Sequence, residues 1–296
     1  MPGIRRDHKD RIFRKLFGDP DNKENLLSLY NALNDRDYDD PDMLEITTID
    51  DVIYMGMKND VSCIIDNHMS LIEQQSTYNP NMPLRGMLYS GQLYDQYITS
   101  HDFNRYSGKL IKIPAPKYFV LYNGTGNLPE RSVLRLSDAF LVPADEEGCY
   151  EWTAIMLNIN YGHNKKLLSA CRVLEEYSLF VEKTRTHIAA GRSPKIAVEL
   201  TVDECIHEGV LSDFLKKHKA EVICMFLTEY DEAETMEMFK REFREDGIEE
   251  GRREGLQLGQ DMLAWLKSQG RVDDIMRTIS DDAFRDQMIA EYQASL

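Results

Sequence analysis

Two carboxylates and an amide, Asp60, Glu73 and Gln75, stand where a short hairpin would gather them on one face. Residues 61–66 and 69–75 both read as strands, and a two-residue loop at Asn67-His68 is the natural connection. That register sets Asp66 opposite Met69, Ile64 opposite Leu71, Ser62 opposite Glu73 and Asp60 opposite Gln75. Directly opposed residues share a face, and diagonal neighbours lie about 7–8 Å apart. Asp60 and Glu73 can therefore lean onto one divalent ion, with Gln75 pointing to the same place. Oxygen donors of this kind suit a hard cation such as Mg²⁺, which keeps several of its waters. Such an ion stabilises charge on a phosphoryl oxygen and helps to make hydroxide from bound water. The plainer alternative is a pair of solvated charges at a strand end.

The elements that must position these residues are legible around them. Residues 7–17 read as an amphipathic helix with Ile12, Phe13, Leu16 and Phe17 inward, ended by Gly18. A second helix begins near Asp21, where Asp21 and Glu24 have capping-box spacing and Leu26, Leu27, Tyr30, Ala32 and Leu33 form the buried stripe. Glu24 reads there as a structural cap. Residues 43–57 read as a strand with an interruption at Asp50-Asp51. After the hairpin, Pro83 opens a helix whose apolar face carries Leu84, Met87, Leu88, Tyr94, Tyr97 and Ile98. Arg85 lies in its first turn, where it would grip a phosphate beside the metal or form a surface ion pair. Residues 117–123 and 152–160 are further strands, apolar enough to be central, and Asn123-Gly124 forms a turn. His163 follows at a strand-to-helix junction, as a proton-transfer group or an ordinary polar residue of a helix start. Residues 164–230 are mostly helical, with Leu167, Leu168, Cys171, Leu174, Tyr177 and Val181 in phase.

The stretch 72–85, Ile-Glu-Gln-Gln-Ser-Thr-Tyr-Asn-Pro-Asn-Met-Pro-Leu-Arg, resembles the Rpn family of recombination-promoting nucleases and transposase-type proteins, within the PD-(D/E)XK nuclease superfamily. Residues 13–18, 31–33, 59–62, 122–124, 136–140, 158–160 and 249–251 are also similar to the family, in order along most of the chain. The resemblance implies an α/β fold with a restriction-endonuclease-like core, a mixed central sheet flanked by helices, followed by a helical C-terminal region. It implies a metal-dependent DNA endonuclease using Mg²⁺, or Mn²⁺ or Ca²⁺ in its place. Asp60 and Glu73 would be the acidic metal ligands, with Glu24 as an added one and Arg85 on the substrate. Gln75 stands where the superfamily pattern has lysine. Glutamine orients a water by hydrogen bonding but supplies no positive charge. A nuclease fold kept as a DNA-binding or assembly module, inactive for want of that lysine, is the competing reading.

The chain is 296 residues long with a net charge of −16, an unfavourable balance for a partner made of phosphates. The charge is uneven, however. Residues 201–296 carry 12 basic and 23 acidic side chains, whereas residues 51–140 carry 8 of each. Arg105, Lys109, Lys112, Lys117, Arg131 and Arg135 follow the hairpin and suggest a phosphate track or a solvated face. No apolar run approaches the roughly 20 residues of a membrane-spanning helix, and the N-terminus has no apolar signal core, so a cytoplasmic protein is expected. The cysteines, Cys63, Cys149, Cys171, Cys205 and Cys224, are odd in number and not closely paired, which argues against a disulfide frame or a zinc site. Two parts are expected, a nuclease-like domain with its helical extension over 1–230 and a helical tail over 231–296. In the tail, Gly247, Gly251, Gly255 and Gly259 recur every four residues, along one slowly drifting helical stripe. Each glycine weakens a helix by about 1 kcal/mol. Close approach of a second helix would offset that loss, so the stripe predicts a homodimer or higher homo-oligomer through this helix.

Overall fold

The computed structural model of the chain describes residues 11–47, 60–143 and 150–295, apart from the side chains of 229–254, 256, 279 and 280. Two compact units follow one another, Met1–Asp231 and Glu232–Leu296. The first is α/β, built on a mixed six-stranded sheet: β1 (Glu45–Ile46), β2 (Val61–Ile65), β3 (His68–Gln75), β4 (Ala115–Tyr122), β5 (Arg131–Arg135) and β6 (Thr153–Asn158). Strand order is β1-β2-β3-β4-β6-β5. β3, β4 and β6 run parallel, while β1, β2 and β5 add antiparallel to their neighbours.

The hairpin forms, with a register two residues away from the expected one. Val61 pairs with Ile72, Ser62 with Leu71 and Ile65 with His68, so the turn residues are Asp66 and Asn67. Both have positive φ, 47° and 57°. A two-residue hairpin turn of the type that follows the strand twist requires that conformation at both positions. Asp and Asn adopt it more readily than other non-glycine residues, so His68 is released to begin β3. A shift of two preserves the alternation of faces. The strand expected over 43–57 appears as β1, and Thr47 donates from its backbone to Ser62 O; positions 48–57, with the interruption at Asp50-Asp51, lie outside the described residues.

Apolar layers cover both faces of the sheet. On one side Phe13, Leu16 and Phe17 of α1 (Arg11–Phe17) and Leu26, Leu29 and Tyr30 of α2 (Lys23–Asn34) pack with Val61, Cys63, Ile65 and Ile72. The same layer takes in α4 (Lys165–Ala170), α5 (Arg172–Ala189), α6 (Pro194–Glu208) and the start of α7 (Ser212–Ser268). On the other side α3 (Met82–Ser100) packs Met82, Tyr89 and Leu93 against Ile64, Met69, Leu71, Tyr118 and Met156. The buried stripe of α3 differs from the one expected. It is centred on Met82, Gly86, Tyr89, Ser90 and Leu93; of the expected residues Met87, Tyr94 and Tyr97 pack partly buried at its margin, and Leu84 is exposed. Gly86 explains the rotation: a Cβ there would stand 2.4 Å from the Tyr118 ring and 2.6 Å from Trp152 Nε1. Only a glycine lets the helix come this close.

The capping box at Asp21 and Glu24 is not formed. Asp19 instead accepts from the Asp21 amide at the head of a short 3₁₀ turn, and α2 starts at Lys23 without a side-chain cap. The second unit is helical, with α7 followed by α8 (Val272–Ser280) and α9 (Asp282–Ala294). Met262, Leu266 and Met288 form its small core, and Asp281 caps α9 through the Phe284 amide at 3.0 Å. Gly255 and Gly259 lie on α7, where the space a Cβ would fill is open. No helix among the described residues is long and apolar enough to cross a membrane.

Candidate active site

The sheet ends in a charged cluster on its α3 face. Glu73 follows Met69 and Leu71 in the alternation of β3, and so points toward α3. Carried one residue past Val61, the register sets Asp60 directly opposite Glu73, closer than the diagonal placement expected. β2 begins only at Val61, and the Asp60 carboxylate takes the place of a further strand partner: Oδ2 accepts from the Gln74 amide at 2.9 Å. Asp60 is 1% exposed and Glu73 0%. These acids are thus enclosed, not the solvated strand-end charges of the plainer alternative.

Arg85 meets them from the first turn of α3. Its Nη2 lies 3.3 Å from Glu73 Oε2 and donates to the Tyr89 hydroxyl at 2.9 Å. The i, i+4 spacing of Arg85 and Tyr89 makes this contact natural on a helix. Burial alone would lower the Arg85 pKa, but the Glu73 carboxylate and the Tyr89 and Tyr118 hydroxyls together outweigh it and hold the guanidinium charged. Burial, and after it the charge of Glu73, pushes the Tyr89 and Tyr118 phenols well above their ordinary range, so both stay neutral. The Tyr118 hydroxyl lies beside Glu73 without a well-formed hydrogen bond. Gln75 closes the row at the end of β3, half-buried, on the face of Glu73.

Behind the sheet, the residue between the two site positions is tied down. Gln74 Nε2 donates to Asn123 Oδ1, and Asn123 Nδ2 donates to the Tyr177 hydroxyl at 3.0 Å. Arg185 donates to the carbonyl of Asn123 and, at 2.8 Å, to Asn160 Oδ1. This network fixes the strand that carries Glu73 and Gln75. Sequence reasoning missed it, along with Tyr89 and Tyr118. The available signals were the polar Gln74 and Asn123 at the ends of apolar strands, and the helical spacing of Arg85 and Tyr89.

Other expected site residues fall elsewhere. Glu24 is exposed on α2, whose buried residues belong to the opposite layer, and it lines a cavity of about 1120 Å³ with Asn31, Asp35 and Lys166. The fold does not bring it to Asp60 and Glu73. His163 borders a different cavity of about 540 Å³, with Asn160 and Arg185, at the ends of β4 and β6. The six bases do not form one track. Lys117 donates to Asn34 on the α2 side, Arg131 lines the larger cavity and Arg135 sits on the edge strand β5.

No family model, curated protein or solved structure matches the chain.

The donor set fits a hard divalent cation. Asp60 and Glu73, opposed on adjacent strands, offer the carboxylate oxygens that such an ion takes. Among the described residues no group of three or more His, Cys, Asp or Glu could hold a metal. An ion at Asp60 and Glu73 would draw its other ligands from amide oxygens and water.

Proposed function

We propose that the chain is a metal-dependent endonuclease that hydrolyses phosphodiester bonds in DNA, of the recombination-promoting type that the Rpn resemblance implies. The observation that carries this reading is the pair Asp60 and Glu73, buried and opposed on adjacent strands, with Arg85 ion-paired to Glu73. Enclosed carboxylates are costly unless paired or put to use, and such pairs cluster at functional sites. Asp60 and Glu73 would hold Mg²⁺, which supplies a low-pKa water and charge stabilisation at the phosphoryl group. Gln75 orients the attacking water. Arg85, held charged beside Glu73, stands where a phosphate would meet it. The polar network behind Gln74 keeps β3 from shifting, which matters because small misplacements cost much of the rate.

The test is nicking of supercoiled plasmid with Mg²⁺, Mn²⁺, Ca²⁺ or no metal, by wild type and by Asp60→Asn and Glu73→Gln. Cleavage by wild type in Mg²⁺ and its loss in both variants are expected. Equal nicking by all three proteins would sink the assignment. A second reading also has an observation behind it: Glu73 is wholly enclosed and ion-paired, as a purely structural charge would be. A module that binds DNA without cutting it would show binding by wild type and both variants, with no nicking in any metal.

A further inference from the structure

The connection between α3 and β4 presents an unusual surface. Tyr106 and Leu110 are each 90% exposed at its tip, and Lys109 and Lys112 beside them are exposed as well. Among the described residues neither lysine forms an ion pair, whereas Arg105 is bound to Asp95 at 2.5 Å. The base of the loop is anchored. Tyr94 donates its hydroxyl to Pro114 O at 2.8 Å, and the Tyr97 and His101 rings lie 4.1 Å apart. An anchored loop that projects an aromatic ring, an aliphatic wedge and two exposed lysines offers stacking and phosphate contact together.

Its place in the fold gives it a distance from the site. Ala115, where β4 starts, pairs with His68, five residues along β3 from Glu73. At about 3.3 Å per residue the base of the loop lies roughly 17 Å along β3 from the position of Glu73, about five nucleotide steps of one DNA strand. We propose that the loop 101–114 is a second nucleic-acid contact, which holds the DNA backbone away from the bond to be cut, its base about five nucleotide steps from the carboxylates. The inference rests on the nuclease reading for the distance and not for the surface. A strand of phosphates fits better than an anionic membrane. The chain as a whole carries −16, and an extended anionic plane would meet that whole field, whereas a narrow strand can engage one cationic loop.

The experiment measures equilibrium binding of a labelled duplex of about 20 base pairs to the full chain without divalent metal, at several salt concentrations. Wild type is compared with Lys109→Glu/Lys112→Glu and with Tyr106→Ala/Leu110→Ala, and plasmid nicking is measured in Mg²⁺ for all three. These side chains are exposed, so thermal stability should not change. The charge-reversal variant should bind at least about tenfold more weakly, with the slope of log affinity against log salt reduced by about 2. The Tyr106/Leu110 variant should weaken binding about tenfold while leaving the salt slope as it is. Affinity and slope equal to wild type in both variants would overturn the surface, even if nicking stands. Wild-type binding that both variants lose, with no nicking by any protein, supports the surface and removes the nuclease reading. Absence of duplex binding by wild type overturns the surface, as does variant-sensitive binding to phosphatidylserine vesicles in place of the duplex.

Discussion

Arg85 Nη2 lies 3.3 Å from Oε2 of Glu73, so the guanidinium that α3 brings to the sheet is the counter-ion of its most enclosed acid. Removing either partner takes the opposite charge away from a largely buried group. Glu73→Gln and Arg85→Met should each destabilise the fold by about 1–3 kcal/mol. A wholly enclosed pair would lose more, but Arg85 keeps part of its surface in water. The double variant should lose less than the sum, with a coupling of about 0.5–3 kcal/mol. Urea unfolding of the four proteins measures it, and additive losses would dissolve the pair as an energetic unit.

Gln75 ends β3 half-buried. Gln75→Lys should therefore fold with an unchanged melting temperature and nick plasmid at least as fast as wild type. A loss of nicking with intact folding would assign Gln75 a hydrogen bond that lysine cannot make.

Two glycines of α3 should respond in opposite directions. A methyl at Gly86 would press into the Tyr118 ring, and Gly86→Ala should cost about 1–3 kcal/mol. Nothing stands within 4 Å of a Cβ at Gly91, and Gly91→Ala should gain up to about 1 kcal/mol from helix propensity. Thermal melts of both variants check the sign.

Tyr118 is neutral in the fold well above the ordinary phenol value of 10.0, chiefly through burial. Its raised pKa contributes stability that is complete below pH 10 and is lost as pH rises toward the folded value. Near the start of that window the loss grows by about 1.4 kcal/mol per pH unit for such a phenol. Tyr118→Phe removes this linkage, so its alkaline unfolding midpoint should move upward. An unmoved midpoint, followed by tyrosinate absorbance, would count against the enclosed phenol.

Self-association through the glycine stripe is open to a similarly direct test. Removing residues 232–296 takes away the second compact unit, and light scattering should then report a smaller species that stays folded. Gly255→Leu/Gly259→Leu in the full chain should raise helicity and still abolish association, because the open space over both glycines is where a partner helix would lie. An unchanged mass in both experiments would leave the stripe without this role.

Much of the first unit was legible because its signals are local. Ile12, Phe13, Leu16 and Phe17 are buried as their spacing required, and Leu168, Cys171, Leu174 and Tyr177 keep helical phase, although Cys171 separates two helices. Asp60, Glu73 and Gln75 share a face because alternation survives a register change of two. Other features depended on contacts between distant segments. Which side of α3 turns inward is set by Tyr118 and Trp152, far along the chain, through Gly86. β5 escaped notice because it is an edge strand with exposed Arg131 and Arg135 at its ends and only partial burial between them. Glu24 was placed near the acids by its helix, but the covering of one sheet face by α2 and the other by α3 is a tertiary choice that no local spacing encodes.

The two-residue turn at Asp66-Asn67 also sets what lengths the hairpin can accept. A one-residue slip of the pairing there would exchange the two sides of β3, carrying Glu73 into the layer of Phe13 and Leu29 and turning Ile72 toward Arg85. Changes of two residues would keep every side chain in its layer. An odd change in the length of this hairpin must therefore be absorbed within the turn itself, and that restriction originates in the acid that the far strand must deliver to Arg85.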